Sequence, residues 1–150
     1  MNKLSIIVPC YNEEEVVSLF YRETLKAITA IPDLDYEFLF IDDGSKDHTL
    51  DILRVLSYQD KHCHYFSFSR NFGKEAAMYA GLEQAQGDYC VIMDADLQHP
   101  PTLLAPMYQA VSQEGYDCCA GKRVGREGDG IVRGVLSRSF YKVIQSEEVV

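Results

Sequence analysis

The sequence predicts an α/β fold, a mostly parallel sheet with helices on both faces. Short β-branched or aromatic runs alternate with single stretches of helical periodicity. Each apolar run also ends abruptly in a polar cluster, as strands do where a sheet delivers its loops to a ligand.

Residues 4–8 (Leu-Ser-Ile-Ile-Val) form a short apolar run stopped by Pro9, which reads as a buried strand. From residue 14 to 31, apolar positions at Val16, Val17, Leu19, Phe20, Leu25 and Ile28 follow a helical spacing, and Pro32 ends it. Residues 36–41 are a second strand closing on Asp42-Asp43-Gly44-Ser45. Asp47 is placed to cap a helix whose apolar side is Leu50, Ile52, Leu53, Val55 and Leu56. Residues 65–69 predict a third strand. Residues 73–86 predict a helix rich in small residues (Ala76, Ala77, Ala80, Gly81, Ala85), suited to lie close on a sheet. Residues 88–93 predict a fourth strand ending in Asp94-Ala95-Asp96, and Pro100 and Pro101 open a helix running to about residue 114. A fifth strand over 116–120, a charged glycine-rich loop over 123–130 and a last helix over 132–144 complete the expectation.

The 150 residues suffice for one domain with its own core, and 47% hydrophobic content excludes a disordered chain. A net charge of -9 argues against broad phosphate neutralisation, and so against nucleic acid as a partner. The charge is uneven: Lys122, Arg123, Arg126, Arg133, Arg138 and Lys142 stand against only Glu127 and Asp129 in the same stretch. That stretch reads equally as a solvated helix or as a surface for an anionic partner or leaflet. Five cysteines, no C-x-x-C and strand-like surroundings for Cys10, Cys90 and Cys118–Cys119 predict buried, reduced thiols. No signal peptide is recognised and no stretch approaches the ~20 apolar residues of a membrane span, so the chain by itself is expected to be soluble and cytoplasmic.

The polar clusters after the first four strands are Tyr11-Asn12-Glu13, Asp42-Asp43, Arg70-Asn71 and Asp94/Asp96, all expected at one edge of the sheet. Asp94 and Asp96, two apart in extended chain, can present two hard oxygen ligands with further positions open, which suits Mg2+ or Mn2+ bound together with phosphates. Such an ion offsets the charge that builds on a departing diphosphate. One of Asp42 and Asp43 can accept hydrogen bonds from a base or ribose while the other closes an Asx turn before Gly44. Tyr11 can stack on a base, and Arg70 and Lys74 can offer charge to a diphosphate. Neither G-x-G-x-x-G after the first strand nor a P-loop is present, which removes the main support for dinucleotide and P-loop readings.

Ile7-Val8-Pro9-Cys10-Tyr11-Asn12-Glu13-Glu14, Ile41-Asp42-Asp43-Gly44-Ser45-Lys46-Asp47, Arg70-Asn71-Phe72-Gly73-Lys74 and Asp94-Ala95-Asp96-Leu97-Gln98-His99-Pro100-Pro101 occur in this order. Together they closely resemble glycosyltransferase family 2 enzymes of GT-A (Rossmann-like) fold. Within these the chain looks most like the polyprenyl-phosphate branch, dolichol-phosphate mannosyltransferases and bacterial undecaprenyl-phosphate glucosyltransferases. The resemblance implies an inverting transfer of a hexose from a nucleotide diphosphate sugar, UDP-glucose or GDP-mannose in type, to a polyprenyl phosphate. It implies nucleotide contacts from Pro9, Tyr11, Glu13 and Asp43, and a metal and diphosphate site from Asp94, Asp96 and Gln98. Arg123, in a segment similar to a Gly-Ser-Arg element, with Arg133 and Ser137 one helical turn apart, would face the acceptor phosphate.

By the same resemblance residues 1–150 are a single catalytic domain whose acceptor side begins at residues 122–150. Relatives continue with an acidic Gly-Asp-Phe type element, amphipathic segments and often membrane helices. The chain is therefore expected to be cut short of them and to act at the cytoplasmic face of a membrane through that further part. A second copy of the chain stands as a further candidate partner. Two alternatives stay open: a hydroxyl-acceptor, polysaccharide-building transferase of the same fold, and a non-catalytic nucleotide-sugar-binding module.

Overall fold

A computed structural model describes residues 1–121, of which Met1–Tyr116 form one compact unit. The expected loop over 123–130 and helix over 132–144 lie outside the described residues. The elements are β1 (Asn2–Cys10), α1 (Val17–Thr29), β2 (Leu34–Asp42), α2 (Thr49–Gln59), β3 (Cys63–Ser67), α3 (Lys74–Gln84), β4 (Tyr89–Ile92), a 3-10 turn at Pro101–Leu103 and α4 (Leu104–Gln113). All strand pairs are parallel and the order is β3-β2-β1-β4. The chain therefore winds outward from β1 to β2 and β3, then returns through α3 to the other side of β1. Right-handed crossovers in opposite directions place their helices on opposite faces. The contacts agree: α3 lies over β1 and β2, whereas α1 packs with α2 and α4 on the other side.

Alternation along the strands supplies both faces. Leu4, Ile6, Val8 and Cys10 of β1, with Phe38 and Phe40 of β2, join Val17, Phe20, Ile28, Leu53, Leu56 and Leu104 in the main core. The intervening positions Ile7, Leu39 and Ile41 are equally buried and face α3. There the small residues expected from the sequence are used. A Cβ on Gly81 would stand 2.3 Å from Ile7 Cγ2 and 3.4 Å from Ile41 Cγ1, so the helix rests directly on the sheet.

A buried polar cluster closes the edge of the sheet opposite the strand ends. Glu37 accepts hydrogen bonds from Lys3 Nζ (2.6 Å), Ser5 Oγ (2.6 Å) and the Gln86 backbone N–H (2.8 Å), while Ser5 Oγ accepts one from the Gly87 N–H (2.9 Å). These bonds join β1, β2 and the α3–β4 turn. Burial alone would raise the Glu37 carboxyl; the bonds from Lys3, Ser5 and Gln86 outweigh it and hold the carboxyl below its usual value.

Three expectations need correction. Residues 116–120 form no strand: Tyr116, Cys118 and Cys119 are exposed, and among the described residues no neighbouring strand lies alongside. Gly115, at φ 78°, turns the chain instead, and the Tyr116 N–H bonds back to Ala110 O. Cys90 is also exposed. It pairs in register with Ser5 on the α3 side of the sheet, and α3 covers β1 and β2 rather than β4. Only Cys10 and Cys63 are buried, and burial pushes the Cys63 thiol up to about 12. Finally, β3 spans 63–67 rather than 65–69. Asp47 lies one residue before the N-cap of α2, yet its carboxylate accepts the Thr49 N–H at 3.0 Å and does the expected capping.

Two outcomes test this packing. Gly81→Ala should lower stability by about 1–3 kcal/mol in urea denaturation, because the added carbon overpacks Ile7 by more than the gain in helix propensity returns. Glu37→Gln should be less stable than the parent at pH 7. Since the folded-state value of Glu37 is lowered, its contribution is present above the unfolded value near 4.5 and is lost as pH falls through the folded one; the difference between the two proteins should shrink below about pH 4.5.

Candidate active site

The reversal of winding lies between β1 and β4, and the carboxyl ends of those strands open a crevice at this switch point. A cleft of about 360 Å³ occupies it, lined by Pro9, Cys10, Tyr11, Glu13, Asp43, Asn71, Gly73, Lys74, Ala77, Asp94, Ala95 and Asp96. Six of the predicted site residues, Pro9, Tyr11, Glu13, Asp43, Asp94 and Asp96, are thus gathered from three separate segments. Gln98 is exposed just beyond the lining residues; its backbone N–H donates to Asp96 Oδ1 at 3.0 Å, closing a turn in which Leu97 adopts φ 58°. Arg123, Arg133 and Ser137 lie outside the described residues.

The rim is held by side chains bonding to neighbouring backbone. The Asn12 N–H donates to Ser45 Oγ (3.0 Å), the Glu13 N–H to Thr49 Oγ1 (2.8 Å) and the Glu14 N–H to Asp47 Oδ2 (3.2 Å). In return the Lys46 N–H donates to Asn12 Oδ1 and the His48 N–H to Glu14 Oε2, both at 2.8 Å. The loop after β1 and the loop after β2 are zipped together. This leaves Tyr11 standing 40% exposed at the cleft mouth.

Asp42 and Asp43 divide their work. Asp42 accepts the Ser45 N–H (3.2 Å), the expected Asx turn, and the Ser67 hydroxyl (2.7 Å). Asp43, 3% exposed, accepts the Phe72 N–H on one oxygen (2.7 Å) and the Gly73 N–H on the other (3.0 Å). This clamp was not legible in sequence and gives Asp43 a structural task alongside its place in the cleft wall. Glycines fit the crossing: a Cβ on Gly44 (φ 69°) would meet the Arg70 carbonyl carbon at 2.4 Å, and Gly73 (φ 100°) takes a conformation open essentially to glycine alone.

Arg70 turns away, its guanidinium 4.7 Å from the Phe72 ring centroid, and does not line the cleft. Lys74 does. Its Nζ lies 2.6 Å from Asp94 Oδ1 and 2.8 Å from Oδ2. Asp94 and Asp96 flank Ala95, whose buried methyl anchors the pair on the core. Partial burial, followed by the charges of Asp96, Asp94 and Asp47, raises the Glu13 carboxyl above its usual value. Several carboxylates therefore crowd one cleft, and among the described lining residues one ammonium, that of Lys74, answers them.

Hard oxygen donors with surplus negative charge suit a hard divalent cation. No three or more His, Cys, Asp or Glu side chains among the described residues close round an ion by themselves. An ion held by Asp94 and Asp96 would leave positions open to water and ligand phosphate, as Mg2+ usually does. Asn71 lies at the edge expected for it, whereas Gly73 and Ala77 were not expected among the lining residues. The only hint was the small residues opening the helix after Arg70-Asn71.

A doubly covered parallel sheet with an acidic cleft at its switch point is here the GT-A glycosyltransferase fold. The chain belongs to glycosyltransferase family 2, whose model matches residues 5–148. It is 46% identical over 141 residues to the putative glycosyltransferase CsbB of Bacillus subtilis (strain 168), covering 94% of this chain and 42% of that protein. It is 38% identical over 141 residues to the prophage bactoprenol glucosyl transferase homolog of Escherichia coli (strain K12), covering 94% of this chain and 45% of that protein. The mannosyltransferase PcManGT from Pyrobaculum calidifontis, in complex with GDP-Man and Mn2+, superposes with a TM-score of 0.56 at 25% identity, over 63% of this chain and 28% of that one. The chain thus spans less than half the length of these relatives.

Asp43→Asn tests the clamp. An amide group must turn its NH2 toward one of the two N–H donors, leaving that donor unpaired and buried. The expected loss is about 1–3 kcal/mol in urea denaturation.

Proposed function

We propose that this domain binds a nucleotide diphosphate sugar with Mg2+ or Mn2+ and belongs to an inverting transferase that delivers the hexose to a polyprenyl phosphate. The observation that carries the reading is the gathering of Tyr11, Glu13, Asp43, Asp94 and Asp96 around one switch-point cleft. The sugar donor is supported by the GDP-Man and Mn2+ of PcManGT, and the lipid acceptor by the bactoprenol named for the Escherichia coli relative.

In this reading the exposed ring of Tyr11 flanks the base, with Pro9 and Glu13 on the same wall, and the Asp43 clamp keeps the 70–73 loop in place behind them. Asp94 and Asp96 hold the cation. When bound, the ion offsets the negative charge growing on the departing diphosphate. An acceptor phosphate oxygen attacks the anomeric carbon from the face opposite the diphosphate. The new C–O bond forms as the bond to the diphosphate breaks, the nucleoside diphosphate leaves with the electron pair, and configuration inverts. A phosphate monoester is already anionic near neutral pH, so the nucleophile needs no strong general base. Arg123, Arg133 and Ser137 are the proposed contacts to that phosphate. Work on a polyprenyl phosphate would put the protein at the cytoplasmic face of the membrane; among the described residues no helix is long and apolar enough to cross one.

Calorimetric titration with UDP and with GDP, each with and without Mn2+, should give binding that depends on the metal and prefers one base. Asp96→Asn should keep the parent's melting curve while transfer from the donor sugar to undecaprenyl phosphate falls on the order of 100-fold or more. Full transfer by Asp96→Asn would remove that residue from the mechanism. Failure of both nucleotides to bind with Mn2+ would remove the donor reading.

A further inference from the structure

We infer that Lys74 is a coupling residue: its ammonium occupies Asp94 until a donor diphosphate draws it away, so that cation and nucleotide bind cooperatively. The inference rests on the donor-site reading above and goes beyond it.

The geometry is specific. One ammonium reaches both oxygens of Asp94, at 2.6 and 2.8 Å, so a divalent ion binding this carboxylate would compete with it for the same oxygens. The position is otherwise unfavourable for a cation. Lys74 is the first residue of α3, where the helix macrodipole favours negative charge, and the Asp94 carboxylate offsets that. The pair is also easy to part. The side chains of Lys74 and Asp94 are 52% and 35% exposed, in the range where ion pairs contribute little. A flexible four-carbon stem lets the point charge move to a new anion without moving the helix.

The consequence follows from charge. A dication arriving alone must displace the ammonium from Asp94 and leave it beside a second positive centre. A diphosphate arriving with it offers the ammonium an anionic partner and removes that penalty. By linkage, the cation must then strengthen nucleotide binding by the same factor.

The test follows Mn2+ by the loss of its free-ion electron paramagnetic resonance signal, on the 150-residue chain, alone and with saturating UDP or GDP. Wild type should bind Mn2+ weakly alone and about fivefold or more tightly with nucleotide, at the lower end of ordinary coupling. Lys74→Gln should bind Mn2+ alone about fivefold or more tightly than wild type, and its gain from nucleotide should shrink toward none. Lys74→Met should repeat this, and Lys74→Arg should keep most of the wild-type gain. Thermal melts check that each variant folds. Equal affinity for Mn2+ alone in wild type and folded Lys74→Gln, or an undiminished nucleotide gain in that variant, overturns the inference. Wild type that takes Mn2+ but neither nucleotide overturns the donor reading and the coupling, while the Mn2+-alone comparison still reports whether Lys74 guards Asp94.

Discussion

The carboxylate of Asp43 reaches from the end of β2 to the loop between β3 and α3 and grips two successive backbone N–H groups at Phe72 and Gly73. Both of its oxygens are committed in a site nearly closed to water, where a charge-assisted hydrogen bond is strong and an unmade one is costly. The bonds fix where the chain leaves the β3 side and enters α3. They therefore fix the place of Lys74, and with it the charge opposite Asp94. Gly44 lets the β2 loop pass against Arg70 and Asn71 at a distance no Cβ would permit. The position of the cleft wall is in this sense a backbone matter, secured by one side chain.

The rest of the cleft is governed by electrostatic imbalance. Glu13, Asp94 and Asp96 come from two different loops, and partial burial together with their mutual repulsion disfavours the ionised form of Glu13. Folding has gathered negative charge that a structural role alone would have dispersed. The Lys74 ammonium answers only part of it. The surplus is what the proposed cation and its phosphates would answer. The opposite edge shows the contrast. There the buried carboxylate of Glu37 is matched by Lys3, Ser5 and the Gln86 amide, and the cluster is fully answered.

Much of this was legible in the order of residues. Alternating strand and helix patterns imply parallel strands, and parallel strands deliver their following loops to one edge, so Tyr11, Glu13, Asp43, Asp94 and Asp96 had to converge once the strands were recognised. The Asx turn of Asp42 and the capping by Asp47 were local, set by side chains bonding to backbone two or three residues away. Residues 116–120 and Cys90 failed for a different reason. A short strand-like stretch carries no information about whether a neighbouring strand or a covering helix will lie beside it.

The sequence by itself determined the class of fold, the family and the edge at which the acidic clusters meet, because periodicity and motif order are properties of the chain alone. Only the tertiary structure decided which acid does what. Asp43 became a clamp because the 70–73 loop, thirty residues on, brings its N–H groups there. Lys74 became the partner of Asp94 because α3 begins at the same switch point where β4 ends. Pairings of this kind depend on distances across the sheet, and no spacing along the chain encodes them.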